Sequence, residues 1–243
     1  MGGSVGTGKN SEMLRTEADT LLKEAKETEK LEKEAGANLT TAKTLEKDLK
    51  LQLAVDYYTK VAEAYRRLGR ENDAGHIWQF IGSNLKDIAY KHLVSARANN
   101  YNALEKRASF NDASETYERA AYAYENTIQK NGSNFAQKQD CFELSAIAKT
   151  EELIFMINYD GGIYHPENKR GFEPGIIIET SIDAIGKAAK AHSITETENI
   201  VSTMNRYLDN RINGLTSARN RISSTAATEL EKHCGVKQKL VST

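Results

Sequence analysis

The amino-terminal segment carries a pattern close to that of a phosphate-binding loop, Gly3-x4-Gly8-Lys9-Asn10. Such a loop holds phosphates on its backbone amides, and its final Ser or Thr coordinates magnesium. Here Asn10 takes the place of the hydroxyl residue, and the two residues ahead of the pattern leave no room for the strand that should lead into it. The sequence therefore favours a flexible, Gly-rich arm over residues 1–10, and a nucleotide-binding enzyme that uses Gly3 to Lys9 is the remote alternative.

Other residues with chemical potential form no recognisable site. Asp160, His165 and Glu167 are of metal-binding types, but their spacing fits neither a calcium loop nor a helical zinc motif. His76 has no Ser or Cys nucleophile pattern beside it, so we expect a packing or surface histidine. The sequence therefore predicts a protein that is not an enzyme, with no catalytic residue, no metal and no cofactor.

The two cysteines and the lack of a membrane-spanning or signal pattern predict a cytosolic protein, and the charge balance bears on its partners. Cys141 and Cys234 lie far apart without a C-x-x-C pattern, which favours two buried, reduced thiols. Thirty-three basic and thirty-four acidic side chains give a net charge of −1, so nucleic acid is not an expected partner. No stretch is long and apolar enough to span a membrane. Gly2 leaves amino-terminal acylation open, although Gly6 stands where the myristoylation pattern has Ser or Thr.

Hydrophobic spacing and the scarcity of proline predict an all-α fold. Both prolines, Pro166 and Pro174, fall in one short segment, so long tracts lack the strongest helix breaker. A small residue, an aromatic four positions later and a further small or aliphatic residue recur on one helix face. The three copies are Ala54-x3-Tyr58-x2-Val61, Ala74-x3-Trp78-x2-Ile81 and Ala113-x3-Tyr117-x2-Ala120. This repetition indicates stacked helix pairs whose aromatic residues, Tyr58, Trp78 and Tyr117, fill the core.

Capping and breaking residues predict where about eight to ten helices begin and end. The first helix should run from Ser11 to Ala35 and stop at Gly36, and the second should start near Thr40 or Thr44 and end at Gly69. The predicted later starts and ends are the Asn72-Asp73 and Asn111-Asp112 caps, the end at Asn131-Gly132, the Thr195-x-x-Glu198 capping box, and a last helix over about 215–231. Residues 158–175, which hold both prolines, are predicted to be an irregular loop, either a connector or a functional loop, that marks a subdomain boundary.

Exposed arginines and tyrosines are the candidates for partner binding. Arg66, Arg67 and Arg70 cluster at a predicted helix end, where a solvated face and a partner contact are both open interpretations. Tyr65 and Tyr124, like Tyr57 and Tyr122, fall outside the repeated position, so they could line a groove. The predicted partner-binding residues are Arg66, Arg67, Arg70, Tyr65 and Tyr124.

The segment AVDYYTKVAEAYRRLGRENDAGHIWQFI, from Ala54 to Ile81, resembles the paired helices of soluble NSF attachment proteins (SNAPs) and, more broadly, of tetratricopeptide proteins. FNDASETYERAAYAYEN, from Phe110 to Asn126, is similar to the same Ala and aromatic pattern. The resemblance covers roughly residues 11–157. In that family a Phe-rich loop between the first two helices attaches to membranes; the matching stretch here, Gly36 to Thr44, has no aromatic.

The resemblance implies a right-handed superhelix of stacked antiparallel helix pairs over 11–157, followed by the loop and by a helical subdomain over 176–243. It also implies an adaptor that wraps a SNARE-type helical bundle and recruits an AAA-type ATPase, with peripheral membrane association through partners. The family engages the ATPase through an acidic carboxyl end, whereas this chain ends KQKLVST. The alternative is a tetratricopeptide-like scaffold or effector with another partner.

Overall fold

Apolar residues at helical spacing build every regular element of the described chain. The computed structural model describes residues 7–47, 49–98, 102–127, 132–160, 172–211 and 216–235, and it has eight α-helices and no strand within these ranges. The helices are α1 (Thr7–Lys47), α2 (Leu51–Arg67), α3 (Glu71–Arg97), α4 (Ala103–Glu125), α5 (Gly132–Asp160), α6 (Pro174–Lys190), α7 (Ile194–Arg211) and α8 (Thr216–Cys234). The predicted all-α class is confirmed.

The chain divides into two units, residues 1–80 and 81–243, so that α3 contributes its first turns to unit 1 and the rest to unit 2. In unit 1, α2 runs antiparallel to α1. The Tyr58 hydroxyl donates a 2.7 Å hydrogen bond to Glu46 near the end of α1, and Arg70 lies 3.9 Å from Glu32, earlier in α1. Ala54, Tyr58 and Val61 are buried, as the repeated pattern predicts.

The predicted end of the first helix at Gly36 is wrong, because α1 continues to Lys47. A single glycine costs a helix only about 1 kcal/mol relative to alanine, and burial of Ala35 and Ala42 on either side of Gly36 offsets that cost. The helix also begins at Thr7, so the last four residues of the predicted flexible arm are helical, while residues 1–6 lie outside the described chain. The first connection therefore falls at residues 48–50.

In unit 2, neighbouring helices run antiparallel and alternate helices run parallel. Along α4 and α5 the Arg107–Glu152 and Glu125–Lys138 ion pairs fix opposite directions. Between α3 and α5 the two ion pairs run in the same order along both helices, which fixes a parallel direction: Lys86–Asp140 at 3.3 Å and Arg97–Glu151 at 2.5 Å.

Helix α5 lies at the centre of unit 2, because it contributes to both described cores of that unit. One core joins α5 to the second part of α3 and to α4 around Leu93, Phe110 and Tyr117. The other joins α5 to α6, α7 and α8 around Leu153, Ile185 and Met204. One stripe of α8 is buried, and it contains four of the predicted apolar positions: Ala218, Ile222, Ala226 and Leu230.

Two predicted helix starts are wrong, and both are replaced by a cap earlier in the sequence. Helix α4 passes through Asn111-Asp112 and begins after Asn102, whose side chain accepts from the Glu105 amide while Glu105 accepts from the Asn102 amide. The start of α7 is capped by Ser193, which accepts a 3.3 Å bond from the Glu196 amide, and not by Thr195. Ser193-x-x-Glu196 fits the capping-box pattern equally well, so spacing alone could not choose between them.

Other boundaries shift by smaller amounts. Helix α3 begins at Glu71, just before the predicted Asn72-Asp73 cap, and α4 ends at Glu125 before the predicted Asn131-Gly132 stop. The predicted loop 158–175 is helical at both of its described ends, in α5 up to Asp160 and in α6 from Pro174. Residues 161–171 lie outside the described chain.

Candidate functional site

Four of the five predicted partner-binding residues lie at the turn between α2 and α3: Tyr65, Arg66, Arg67 and Arg70. Gly69 adopts a left-handed conformation, φ +68°, and the amides of Gly69 and Arg70 bond the Arg66 and Tyr65 carbonyls, which together form a Schellman end. This turn holds the Arg70 guanidinium 4.6 Å from the centre of the Tyr65 ring. Arg70 also binds Asp73 at 2.7 Å, so its charge is already neutralised on one side.

The other two arginines of this cluster lie just before the turn, and both are exposed. Arg66 lies 5.2 Å above the centre of the Trp78 ring, a cation–π arrangement across α2 and α3. Arg67 completes a surface that we call the basic–aromatic patch: Tyr65, Arg66, Arg67, Arg70 and Trp78. Arginine, tyrosine and tryptophan are the residue types that most often dominate binding energy at protein interfaces.

Trp78 departs from the predicted core position. It is half-buried, whereas the aromatics of the other two copies, Tyr58 and Tyr117, are buried as predicted. Its indole Nε1 is shielded from solvent and has no hydrogen-bond acceptor among the described residues. The arginine that covers its ring explains why this aromatic can lie at the surface of unit 1.

Tyr124 belongs to the interior of unit 2. It is 7% exposed, and its ring rests on Gly82, where a Cβ would lie 2.9 Å from the ring. Burial is the main factor that raises the pKa of Tyr124 to about 12. The Tyr124 side chain therefore offers little surface to a partner, whereas Tyr122, two residues earlier in α4, is 44% exposed.

The turn between α1 and α2 exposes apolar side chains. Leu49 has φ +59° and is 72% exposed, and Leu53, one helical turn later, is 51% exposed. A left-handed conformation costs a residue with a Cβ about 1–2 kcal/mol, and glycine is the usual residue at such a helix end. Three exposed lysines lie near the two leucines in the sequence: Lys43, Lys47 and Lys50. We call these five residues the leucine–lysine turn.

A charged network crosses α4, α5 and α6 in unit 2. Lys149 of α5 is 5% exposed and lies 2.8 Å from Glu152, 3.2 Å from Asp183 of α6 and 2.8 Å from the Asn111 side-chain oxygen of α4. The fully buried Glu152 also accepts from Arg107 at 3.1 Å. Sequence inspection missed this network, since only the Lys149/Glu152 spacing, i to i+3, signals one of its pairs.

The network continues to the carboxyl-terminal end of α6. Lys187 donates a 2.8 Å hydrogen bond to Glu118 of α4, and Lys190 donates to the same carboxylate. Burial opposes ionisation of Glu118, but the bonds from the two lysines outweigh it and hold the pKa of Glu118 below its usual value. The opposite charges are thus paired across the three helices, although Glu152 Oε2 lies 2.8 Å from Lys149 without a hydrogen bond, and the pairing points to a role in fixing these helices.

Both ends of the predicted loop return to one cluster of rings. The Tyr159 and Phe172 rings lie 5.3 Å apart, and each packs on Phe155. Arg107 lies 5.8 Å from the centre of the Phe172 ring. The chain therefore leaves α5 and enters α6 at the same place, while His165 and Glu167 lie outside the described residues.

The described residues contain no cluster of side chains that could hold a metal ion. Cys141 is buried, as predicted, and burial raises its pKa to about 11; Cys234 is half-buried, so its predicted burial is only partial. No helix in the described ranges is long and apolar enough to cross a membrane. The predicted nucleotide loop begins at Gly3, outside the described residues, and Lys9 belongs to α1.

Comparison with known proteins gives no match: no family model, no curated protein and no solved structure is similar to this chain.

Proposed function

We propose that this protein is a non-catalytic adaptor that binds other proteins through stacked helices, as soluble NSF attachment proteins do. Support comes from unit 2, where neighbouring helices are antiparallel and alternate helices are parallel. This is the arrangement that repeated helix pairs produce, and such stacks commonly present extended surfaces to partners. A right-handed superhelix is part of this proposal.

The proposed partner is a SNARE-type helical bundle, and the basic–aromatic patch is the observation that carries the proposal. Arg66 and Arg67 are exposed, Arg66 lies over the Trp78 ring and Arg70 lies over the Tyr65 ring, so the patch supplies positive charge and apolar area together. An acidic, helical partner surface complements both properties. Recruitment of an AAA-type ATPase to such a complex is the next step of the same proposal.

A pull-down with a preassembled SNARE bundle, against single SNARE helices, tests the partner. We expect the purified chain to retain the bundle in preference to the single helices. Reversing Arg66, Arg67 and Arg70 to glutamate should weaken retention at least about tenfold, because arginine is enriched among the few interface residues whose truncation costs about 2 kcal/mol or more. Circular dichroism would establish that the triple variant is folded.

A matched variant reverses three exposed cations of unit 2, Lys91, Arg119 and Arg206. It changes the net charge by the same amount, so equal losses in both variants would reduce the effect to long-range electrostatics. If the chain retains no bundle, the tetratricopeptide-like scaffold with another partner takes the place of the SNAP-like adaptor. Bundle retention that the triple variant leaves unchanged would remove the patch from the binding site.

The leucine–lysine turn supports a second proposed activity, direct contact with an anionic membrane surface. Leu49 and Leu53 would enter the lipid headgroup region, while Lys43, Lys47 and Lys50 would meet the anionic headgroups. Each lysine near such a surface contributes about 1 kcal/mol. The left-handed Leu49 favours this proposal, because glycine would form the same turn with less strain.

Co-sedimentation with vesicles tests the membrane contact. We expect binding to phosphatidylcholine vesicles that contain phosphatidylserine, and little binding to pure phosphatidylcholine. Replacing both Leu49 and Leu53 by glutamine should abolish it, whereas the same change at Leu104 and Ile154, which are 71% and 43% exposed in unit 2, should not. Binding that is equal for the two double variants would reject the turn as the contact.

A further inference from the structure

Arg70 of the basic–aromatic patch is held by groups of the chain itself. Its guanidinium donates to Asp73 of α3 at 2.7 Å and lies 3.9 Å from Glu32 of α1. The same guanidinium lies 4.6 Å from the centre of the Tyr65 ring of α2. Hydrogen bonding to Asp73 is the main factor that raises the pKa of Arg70, so this charge already faces carboxylates of its own chain. A carboxylate of a partner would have to compete with them.

Arg67 differs from Arg70 in both its position and its surroundings. It follows Tyr65 by two residues. At 3.6 residues per turn this is a rotation of about 200°, so the Arg67 and Tyr65 side chains lie on different faces of α2. Arg67 is exposed, and it has no ion pair within the residues that the structure describes. Its charge is therefore available to a partner that approaches the outward face of α2.

Glu63 gives the same outward face a negative charge. It precedes Arg67 by four residues, which places the two side chains one helical turn apart on one face. Glu63 is also exposed and has no ion pair in the described part of the chain. A partner helix with a carboxylate opposite Arg67 and a cation opposite Glu63 complements both charges. A uniformly acidic helix would instead meet repulsion at Glu63.

We propose that Arg70 is a positioning residue, which holds the Tyr65 ring and the α2–α3 turn against α1, and that Arg67 is the arginine that pairs with a carboxylate of the partner. This inference rests on the proposed function, the binding of a helical bundle through the basic–aromatic patch. It narrows the chemistry of the partner to a helix that carries an acidic and a basic side chain one turn apart.

Titration of the full chain with fluorescently labelled, preassembled SNARE bundle tests the role of Arg67. Arg67→Gln should weaken binding at least about tenfold and reduce its dependence on salt, because a charge at the interface is lost. Arg67→Lys keeps the charge and should remain within about threefold of wild type. Arg119→Gln, at an exposed arginine of unit 2, is the matched control and should bind like wild type.

Glu63→Gln tests the narrower partner chemistry in the same titration. It should weaken binding several-fold, at least about threefold, if a cation of the partner lies opposite Glu63. Tighter binding would show a uniformly acidic partner surface and overturn this part of the inference. Glu143→Gln, at an exposed carboxylate of unit 2, changes the net charge equally and should have no effect.

A double-mutant cycle with Tyr65 tests the role of Arg70. Arg70→Gln and Arg70→Lys should weaken binding by similar factors, because lysine keeps the charge but lacks the planar guanidinium over the ring. Neither change should add to the loss caused by Tyr65→Ala, whereas Arg67→Gln should add its full factor in that background. Rescue by Arg70→Lys together with additive losses would show that Arg70 contacts the partner directly, contrary to the proposal.

The same titrations separate this inference from the proposed function. If wild type does not bind the bundle, the proposed function fails and the inference fails with it. If wild type binds and Arg67→Gln leaves the affinity unchanged, only the inference is overturned. Circular dichroism of each variant would establish that it is folded, and the two lysine variants keep both positive charges should a glutamine variant unfold.

Discussion

The contact between Gly82 and Tyr124 shows how one residue fixes the packing of unit 2. We expect Gly82→Ala to lower the free energy of unfolding by about 1–3 kcal/mol, because its Cβ would lie 2.9–3.0 Å from the Tyr124 ring and the ring is enclosed. Gly36→Ala is the matched control: Gly36 is also inside a helix, and a Cβ there meets nothing within 4 Å.

The control should raise the free energy of unfolding by about 0.5–1 kcal/mol through helix propensity alone. Urea denaturation followed by circular dichroism measures both variants. If Gly82→Ala proves as stabilising as Gly36→Ala, the tight approach of the Tyr124 ring is not a constraint on the native packing.

Residue by residue, the sequence predicts core positions well where a pattern repeats and poorly where a neighbour covers the side chain. Tyr58 and Tyr117 occupy the buried position that spacing predicts. Trp78 occupies the same place in the pattern, yet Arg66 covers its ring and leaves it half-buried. Spacing along one helix predicts which face of that helix a side chain occupies. Whether the side chain is buried depends on residues of other helices, and the pattern contains no information about them.

At the scale of helices, the Glu118 carboxylate joins α4 to α6, and this link gives the fold a pH dependence. Its pKa is depressed in the folded chain, so the stability that it contributes is present above the unfolded value of about 4.3 and is lost as the pH falls through the folded pKa. Glu118→Gln should therefore be less stable than wild type at pH 7, where it removes the 2.8 Å ion pair of Lys187 and leaves that lysine only the longer contact with Asp183, at 3.8 Å.

The difference between Glu118→Gln and wild type should shrink as the pH falls below about 4.3. Denaturant unfolding of both proteins at pH 7, 4 and 3 measures it. A constant difference over this range would mean that the carboxylate is not held by Lys187 and Lys190 in solution. Glu115→Gln is a suitable control, since Glu115 is an exposed carboxylate of the same helix.

Helix identity could be predicted from the sequence, but several helix ends could not. Periodicity sums over many residues, so one misleading residue does not hide a helix. The position of a helix end depends on only one or two residues, and nearby residues of the same type can fit the same pattern. Gly36 is a residue type that commonly ends helices, but it lies inside α1. The left-handed residue that follows the end of α1 is Leu49, although leucine is unfavourable in that conformation. Burial of Ala35 and Ala42 favours a helix that continues through Gly36. This burial arises only when α1 packs against α2, so the sequence of α1 alone does not reveal it.

For the whole molecule, the sequence predicts the fold class better than it predicts the surfaces that bind partners. The apolar residues that are buried between helices must recur at helical spacing, so their pattern in the sequence predicts an all-α fold. Residues that contact a partner need not recur at helical spacing, because their positions are set by the surface of the partner. The leucine–lysine turn was therefore recognisable only once the structure showed that Leu49 and Leu53 remain uncovered.

The net charge of the chain is only −1, so its overall electrostatic field attracts neither cations nor anions strongly. Charged partners must therefore be bound by local groups of charged residues. The described surfaces differ in kind: arginines with aromatic rings at the α2–α3 turn, and lysines with leucines at the α1–α2 turn. The first suits an acidic protein surface, and the second suits anionic lipid. Both lie in unit 1 and at opposite ends of α2, so the two proposed contacts, with a helical partner and with a membrane surface, do not compete for the same residues.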